Sequence, residues 1–324
     1  MTTSRLNRRQ TVALLGLALD GRVFARTSAD KTVRFVLPNA VASGIDTITR
    51  SVQPALARAL GQTVVIENQP GAGGIVGIQT LARAAPDGLT LGVVSNNVVI
   101  FPAVIKNLPF DLATDITPVA ICGYTPIVLV ANPATGAHNA REFIAYLKSK
   151  NGAANYASGG TGTILHLASE MFLDEAGVRA RHIPYKGVGP MLTDLISGQV
   201  DFATAALPSV QAHLKSGALR AIGIGTARRA AAAPGIPTFV EQGLPAYVVE
   251  AWFALLAPKG LSATDARRIN AAFVTAFSEP AVKDAMIRQG NVINISSVEY
   301  AQKFFRDEMA RYALLVKKAG IEPE

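Results

Sequence analysis

The side chains able to do chemistry in this sequence are few and scattered. Four histidines stand at 138, 166, 182 and 213, and no two have the spacing of a metal-binding pair. His166 and Glu170 would share one face of a helix at i, i+4, but two ligands do not make a metal site. Cys122 stands beside Gly123 in a β-like stretch and reads as a small buried hydrophobe; a single cysteine excludes a disulfide framework and a Cys-only zinc site. No Walker phosphate loop and no Gly-x-Ser-x-Gly elbow is present, and the one Ser-x-x-Lys, Ser28 to Lys31, falls near the N-terminus. The run Gly71-Ala72-Gly73-Gly74-Ile75-Val76-Gly77 follows a strand and opens a helix, as a dinucleotide loop does. Its third glycine comes one residue late, and Asp87 is too early for a ribose-binding acid. The residues therefore predict no catalytic group, no cofactor and no metal.

Two loops stand out instead. Residues 38–46, Pro-Asn-Ala-Val-Ala-Ser-Gly-Ile-Asp, end one strand and open a helix, and residues 156–163, Tyr-Ala-Ser-Gly-Gly-Thr-Gly-Thr, do the same later. Glycines let main-chain N–H groups approach a ligand, hydroxyls add donors, and a helix N-terminus favours an anion such as a carboxylate. One loop in each half could close on a carboxylate from both sides. By spacing alone, Ser43, Thr161 and Thr163 serve equally well as plain helix caps.

The elements that must position these loops alternate. Val33 to Leu37 reads as a strand, and Ile45, Ile48, Val52, Leu56 and Leu60 recur at the helical period, with Pro54 expected to bend that helix. Strands are expected at 63–66 and 89–94 around a helix near 75–84, an order that implies a parallel sheet with helices on both faces. A second series starts after the strand 127–130. It has helices near 140–148, 162–175, 189–197 and 209–215, and strands near 155–157, 181–183, 200–204 and 219–223. Ser262 and Asp265 cap a helix to about 277, and a last helix runs over 298–318. The fold class is α/β, in two lobes with a cleft between them.

Composition limits the class further. Apolar side chains make up 49% and charged ones 17%, which excludes a disordered chain. Residues 1–29 carry five of the arginines against one aspartate. They read as a signal peptide: a basic segment with Arg5, Arg8 and Arg9, the short apolar run 12–19, then small residues. Arg8-Arg9 resembles a twin-arginine signal, and the mature chain is expected to begin near Arg26 or Asp30, in the bacterial periplasm. Without that segment 26 basic residues face 22 acidic ones, a net of +4 with no basic run, so a nucleic-acid partner is not expected. Past it, no apolar run approaches the ~18 residues of a membrane helix.

Several motifs, in this order, resemble the solute receptors of the tripartite tricarboxylate transporter family, the Bug receptors. They are Glu67-Asn68-Gln69-Pro70-Gly71-Ala72-Gly73-Gly74, Pro86-Asp87-Gly88-Leu89-Thr90-Leu91 and Asp115-Ile116-Thr117-Pro118-Val119. Tyr156-Ala157-Ser158, His166, Pro184-Tyr185-Lys186-Gly187 and Gly198-Gln199-Val200-Asp201 follow, then Pro237-Thr238 and the stretch 252–258. The resemblance implies a type II periplasmic-binding-protein fold, two α/β lobes joined by two crossovers near 129–131 and 251–254. Lobe 1 would comprise residues 30–129 plus 254–324, and lobe 2 residues 130–253. It implies a monomeric receptor for a small carboxylate or amino acid, with membrane transporter subunits or a sensor as partners. By similarity the first-lobe contacts are Asn39, Ala40, Ser43, Gly44, Asp46, Ser95 and Asn96. Those of the second lobe are Ser158, Gly160, Thr161, Gly162, Thr163, Lys186, Gly187 and Asp201. One departure is evident: where the family has Pro-Gly-Gly in the first loop, this chain has Val41-Ala42-Ser43. The competing reading is an α/β enzyme acting on a carboxylate, with His166 or Lys186 as acid–base group; a third is an interaction protein with a vestigial cleft.

Overall fold

The structure, a computed structural model, describes residues 31–39, 41 and 43–323; the expected signal peptide, Ala40 and Ala42 lie outside the described residues. The first elements are β1 (Val33–Leu37), α1 (Gly44–Leu60), β2 (Val64–Asn68), α2 (Ile75–Ala82), β3 (Thr90–Ser95) and α3 (Asn97–Val104). A single turn, α4 (Leu112–Asp115), leads into the long strand β4 (Ile116–Ala131). Then follow α5 (Ala140–Lys150), β5 (Asn155–Ser158), α6 (Ile164–Ala176), β6 (Arg181–Pro184), α7 (Val188–Ser197), β7 (Phe202–Ala206), α8 (Leu207–Ser216) and β8 (Arg220–Ile224). The chain finishes with β9 (Glu250–Pro258), α9 (Ala263–Ser278), α10 (Pro280–Arg288), β10 (Val292–Ile293) and α11 (Val298–Lys318).

One sheet path runs β2-β1-β3-β9-β4-β7-β5-β6. β1, β2 and β3 are parallel, as expected, but β9 lies antiparallel to both β3 and β4, and β7 antiparallel to β4. The parallel order expected for the first series holds, and the sheet as a whole is mixed. The α/β series yields parallel strands, whereas β4 and β9 connect the two series and run against them.

β4 is the pivot. Up to Pro126 it pairs with β9, and from Ile127 it pairs with β7 and β8. The strand expected at 127–130 and the β-like stretch around Cys122 belong to this one strand, which continues through Pro118, Gly123 and Pro126. The register with β9 shifts at 118/120 and at 121/123, and such bulges accommodate the missing proline donor. Gly123 is required by close approach: a Cβ there would lie 2.3 Å from the Val292 carbonyl oxygen of β10.

α1 and α9 cover one face of the first half of the sheet with Ile45, Ile48, Val52, Ile269 and Phe273, and α7 and α8 cover one face of the second half. The opposite face carries a single apolar core through both halves, from Val98 and Phe101 of α3 to Phe143 of α5, Phe172 of α6 and Phe305 of α11. Helix starts follow the caps in the sequence: Ser43, Thr163, Ser262 and Ser297 each accept the N–H three residues on. α1 continues as one helix through Pro54. α3 was not anticipated, because Val98, Val99, Ile100 and Phe101 are all buried and leave no polar face to set a period. No helix of the described residues is long and apolar enough to cross a membrane.

Candidate functional site

The β5–α6 loop is built by its own polar groups. Gly160 (φ 143°) and Gly162 (φ 71°) take backbone angles that side chains rarely adopt, and so turn the chain from strand into helix. The Thr163 hydroxyl accepts the His166 N–H at 3.3 Å and donates to the Gly160 carbonyl at 2.8 Å. The Gly162 N–H donates to His166 Nδ1 at 3.1 Å. Ser158 is fully buried; its hydroxyl accepts the Gly160 N–H at 3.2 Å and lies 2.7 Å from His182 Nε2. Thr161 is exposed at the tip. Thr163 is thus a cap, and its hydroxyl is already committed.

Behind this loop lies a polar cluster of which the sequence shows only the His166–Glu170 spacing. β5 and β6 pair in register, with Tyr156 beside His182, and the His182 ring stacks on His166. Tyr156 packs against both rings, its centroid 4.9 Å from that of His182 and 6.1 Å from that of His166, and donates its hydroxyl to Glu170. Burial, and secondarily the neighbouring His182, hold the His166 imidazole down at about 3, and burial holds His182 at about 4. Both rings are therefore neutral at pH 7. Neutrality is what lets His166 Nδ1 accept the Gly162 N–H. Burial raises the Glu170 carboxyl above its usual range. The i, i+4 spacing of His166 and Glu170 was a visible signal, whereas His182 joins them only through strand pairing.

The first-half wall starts at Pro38-Asn39, beyond β1. It rests on the glycine-rich turn before α2 and on the first turn of α2 itself: a Cβ at Gly77, in the helix, would lie 2.8 Å from Pro38 Cα, and one at Gly74, in the turn, 3.2 Å from the Pro38 carbonyl. These glycines serve packing, not a phosphate. Ser43 caps α1 through the Asp46 N–H, and Gly44 is the first helical residue. The Asp46 carboxylate is buried, accepting from Arg50 Nε at 2.8 Å and Asn68 Nδ2 at 3.0 Å, and Asn68 Nδ2 also reaches the Asn39 carbonyl at 3.1 Å. The Arg50 and Asn68 bonds both fall on Asp46 Oδ1, which links Asp46 through Asn68 to the Asn39 main chain. Asn39 Oδ1 is buried and has no hydrogen-bond partner among the described residues.

Ser95, at the end of β3 opposite Phe253, lines a hollow of about 10 Å³ together with Asn39, Gly73 and Asn97. Asn96 does not reach it. Asn96 is fully buried, donates through Nδ2 to the Tyr312 hydroxyl at 2.9 Å, and its N–H bonds the Trp252 carbonyl. The side chain in place is Asn97, whose Oδ1 accepts the Ile164 N–H of α6 at 2.9 Å. Val104, at the far end of α3, lies against Gly162; a Cβ there would be 2.8 Å from Val104 Cγ2. The two halves therefore touch directly at the loop.

Gly187 (φ 105°) donates its N–H to the Gly159 carbonyl at 3.2 Å, so the β6–α7 loop lies beside the β5–α6 loop, with Lys186 exposed. Asp201 is misplaced by the sequence reading. Its carboxylate accepts the Tyr146 hydroxyl and the Asn155 N–H, at the start of β5, while the loop leaves from Ser158 at the other end. Three residues of strand, ~10 Å, separate the two ends. Asn39, Ser95 and Asn97 thus line one hollow of the first half, Asn97 also reaches Ile164 just after the β5–α6 loop, and residues 186–187 lie alongside that loop. Among the described residues, no group of three or more His, Cys, Asp or Glu side chains could hold a metal ion.

Residues 48–321 match the family described as tripartite tricarboxylate transporter family receptor. The chain belongs to this receptor family. Three solved structures are similar over nearly their full lengths. The periplasmic binding protein BugD is 28% identical with a TM-score of 0.82, covering 91% of this chain and 99% of BugD. MatC from Rhodopseudomonas palustris, solved with malate, is 29% identical with a TM-score of 0.80, covering 88% and 99%. An R. palustris protein solved with adipate is 27% identical with a TM-score of 0.85, covering 91% and 99%. The receptor thus has the mixed α/β fold of the periplasmic binding proteins, and the resemblance read from its motifs holds across both series.

Proposed function

We propose that this solute-binding receptor captures a small dicarboxylate in the cleft between the Asn39–Ser95–Asn97 wall and the β5–α6 loop. The observation that carries the reading is the gathering of donor-bearing side chains near the α6 N-terminus. Thr161 is exposed, Asn39 and Asn97 line one hollow, and the α6 N-terminus faces them. Lys186, exposed nearby, adds attraction for an anion. Similar proteins solved with malate and adipate support a diacid, since two carboxylates can engage both walls. Ser43, where the family loop has glycine, narrows the first wall and directs the choice among acids.

Non-catalytic capture is supported by the state of the one serine–histidine pair. Ser158 is fully buried and His182 is held at about 4, so the pair offers neither an accessible nucleophile nor a base poised near pH 7. A first lobe of residues 30–129 plus 254–324 and a second of 130–253 fit the partner exchange of β4 at Pro126 and Ile127. Residues 1–29 direct a monomeric receptor to the periplasm, where it delivers its ligand to membrane transporter subunits or a sensor.

Calorimetry with malate, succinate, adipate, citrate and glutamate tests this reading. One diacid should bind at one per chain and be recovered unchanged. Binding of none of them, or turnover of any, would overturn it.

A further inference from the structure

Asn97 opens α3 directly after β3 and Asn96. Its bond to the Ile164 N–H fixes which side-chain atom is which, because a main-chain N–H only donates and must face the carboxamide oxygen. Ile164 is the first residue of α6, and a first-turn N–H has no carbonyl of its own helix to bond. Asn97 supplies that missing acceptor from the opposite wall. With Oδ1 fixed, the carboxamide plane is fixed too, and Nδ2, with two N–H donors, is bonded to no other described residue. Asn97 lines the same hollow as Asn39 and Ser95.

We infer that Asn97 is a specificity residue of the cleft: its oxygen fastens α6 of the second half while its nitrogen donates to the ligand carboxylate. The anion is then read only where the two halves meet. This rests on the dicarboxylate reading above. Aspartate at this position would accept the Ile164 N–H equally well, but would present a second acceptor oxygen to an anion. A near-isosteric change thereby separates fastening from reading.

The test uses Asn97→Asp and Asn97→Ala in the full receptor, with malate and adipate as probes and amide hydrogen exchange read at Ile164. Protection of the Ile164 amide should persist in Asn97→Asp and fall in Asn97→Ala. Affinity for the bound diacid should fall about tenfold in Asn97→Ala and further in Asn97→Asp, the scale of a lost charge-assisted hydrogen bond. Thermal midpoints establish that both variants fold. Equal diacid affinity in the unaltered protein and Asn97→Asp overturns the inference alone. Unchanged Ile164 protection in Asn97→Ala overturns it as well. Failure of the unaltered protein to bind either diacid overturns the dicarboxylate reading and the inference together.

Discussion

His166 and His182 stack face to face, with ring centroids 3.8 Å apart and 9° between their planes. One ring belongs to the first turn of α6 and the other to β6, so the pair joins the cleft loop to the strand behind it. Two imidazolium rings at that separation would repel strongly, and the site depends on both staying neutral.

Stability should therefore fall in acid. Both histidines are depressed from an ordinary 6.5, to about 3 and about 4. The unfolded chain binds their protons first, so their contribution is full above pH 6.5 and is lost as pH falls through 6.5 toward 4 and then 3. Glu170, raised above 4.5, acts in the opposite sense and loses stability as pH rises. His182→Gln keeps a donor for Ser158 and removes the titration. Between pH 7.5 and 5.0 the urea midpoint of the unaltered protein should drop more than that of His182→Gln. Equal drops would refute the role of the ring.

The two loop threonines should separate. Thr163→Ala removes the α6 cap and should cost about 1 kcal/mol of stability. Thr161, exposed at the tip, should leave the melting temperature unchanged when replaced by Ala but weaken diacid binding about tenfold. Thermal melts and calorimetry on the same samples decide it; unaltered affinity in Thr161→Ala would remove that hydroxyl from the site.

Asp46→Asn tests positioning at a distance. The charge facing Arg50 disappears while the shape stays, at a cost of about 1–2 kcal/mol. Asn68 then donates to an amide oxygen, a weaker acceptor than the carboxylate, so its hold on the Asn39 carbonyl should loosen and diacid affinity fall several-fold. Stability loss with full affinity would show that Asp46 only braces α1.

Gly162→Ala places a Cβ against Val104 across the cleft, at a φ of 71° that side chains rarely adopt. The halves should be held apart. Small-angle scattering should give a larger radius of gyration than for the unaltered protein, with less contraction on adding diacid. Identical scattering curves would mean that α3 yields to the extra methyl.

Much of this receptor is legible in its sequence. The caps at Ser43, Thr163 and Ser262 announce three helix starts, and the strand–helix alternation announces the two series, since caps and periodicity are local properties. The two candidate loops stand out the same way, by glycines and hydroxyls at strand–helix junctions. Tertiary structure alone decided which neighbours those loops meet. Asn96 and Asn97 are equivalent on paper, yet one turns into the core toward Tyr312 and the other crosses to Ile164. Asp201 looked close to the loop until strand pairing placed it at the far end of β5. His182 has no local partner and gains His166 only through the register of β5 with β6. Periodicity fixes which residues form an element; the pairing of distant strands fixes which end, and which face, of that element each side chain joins.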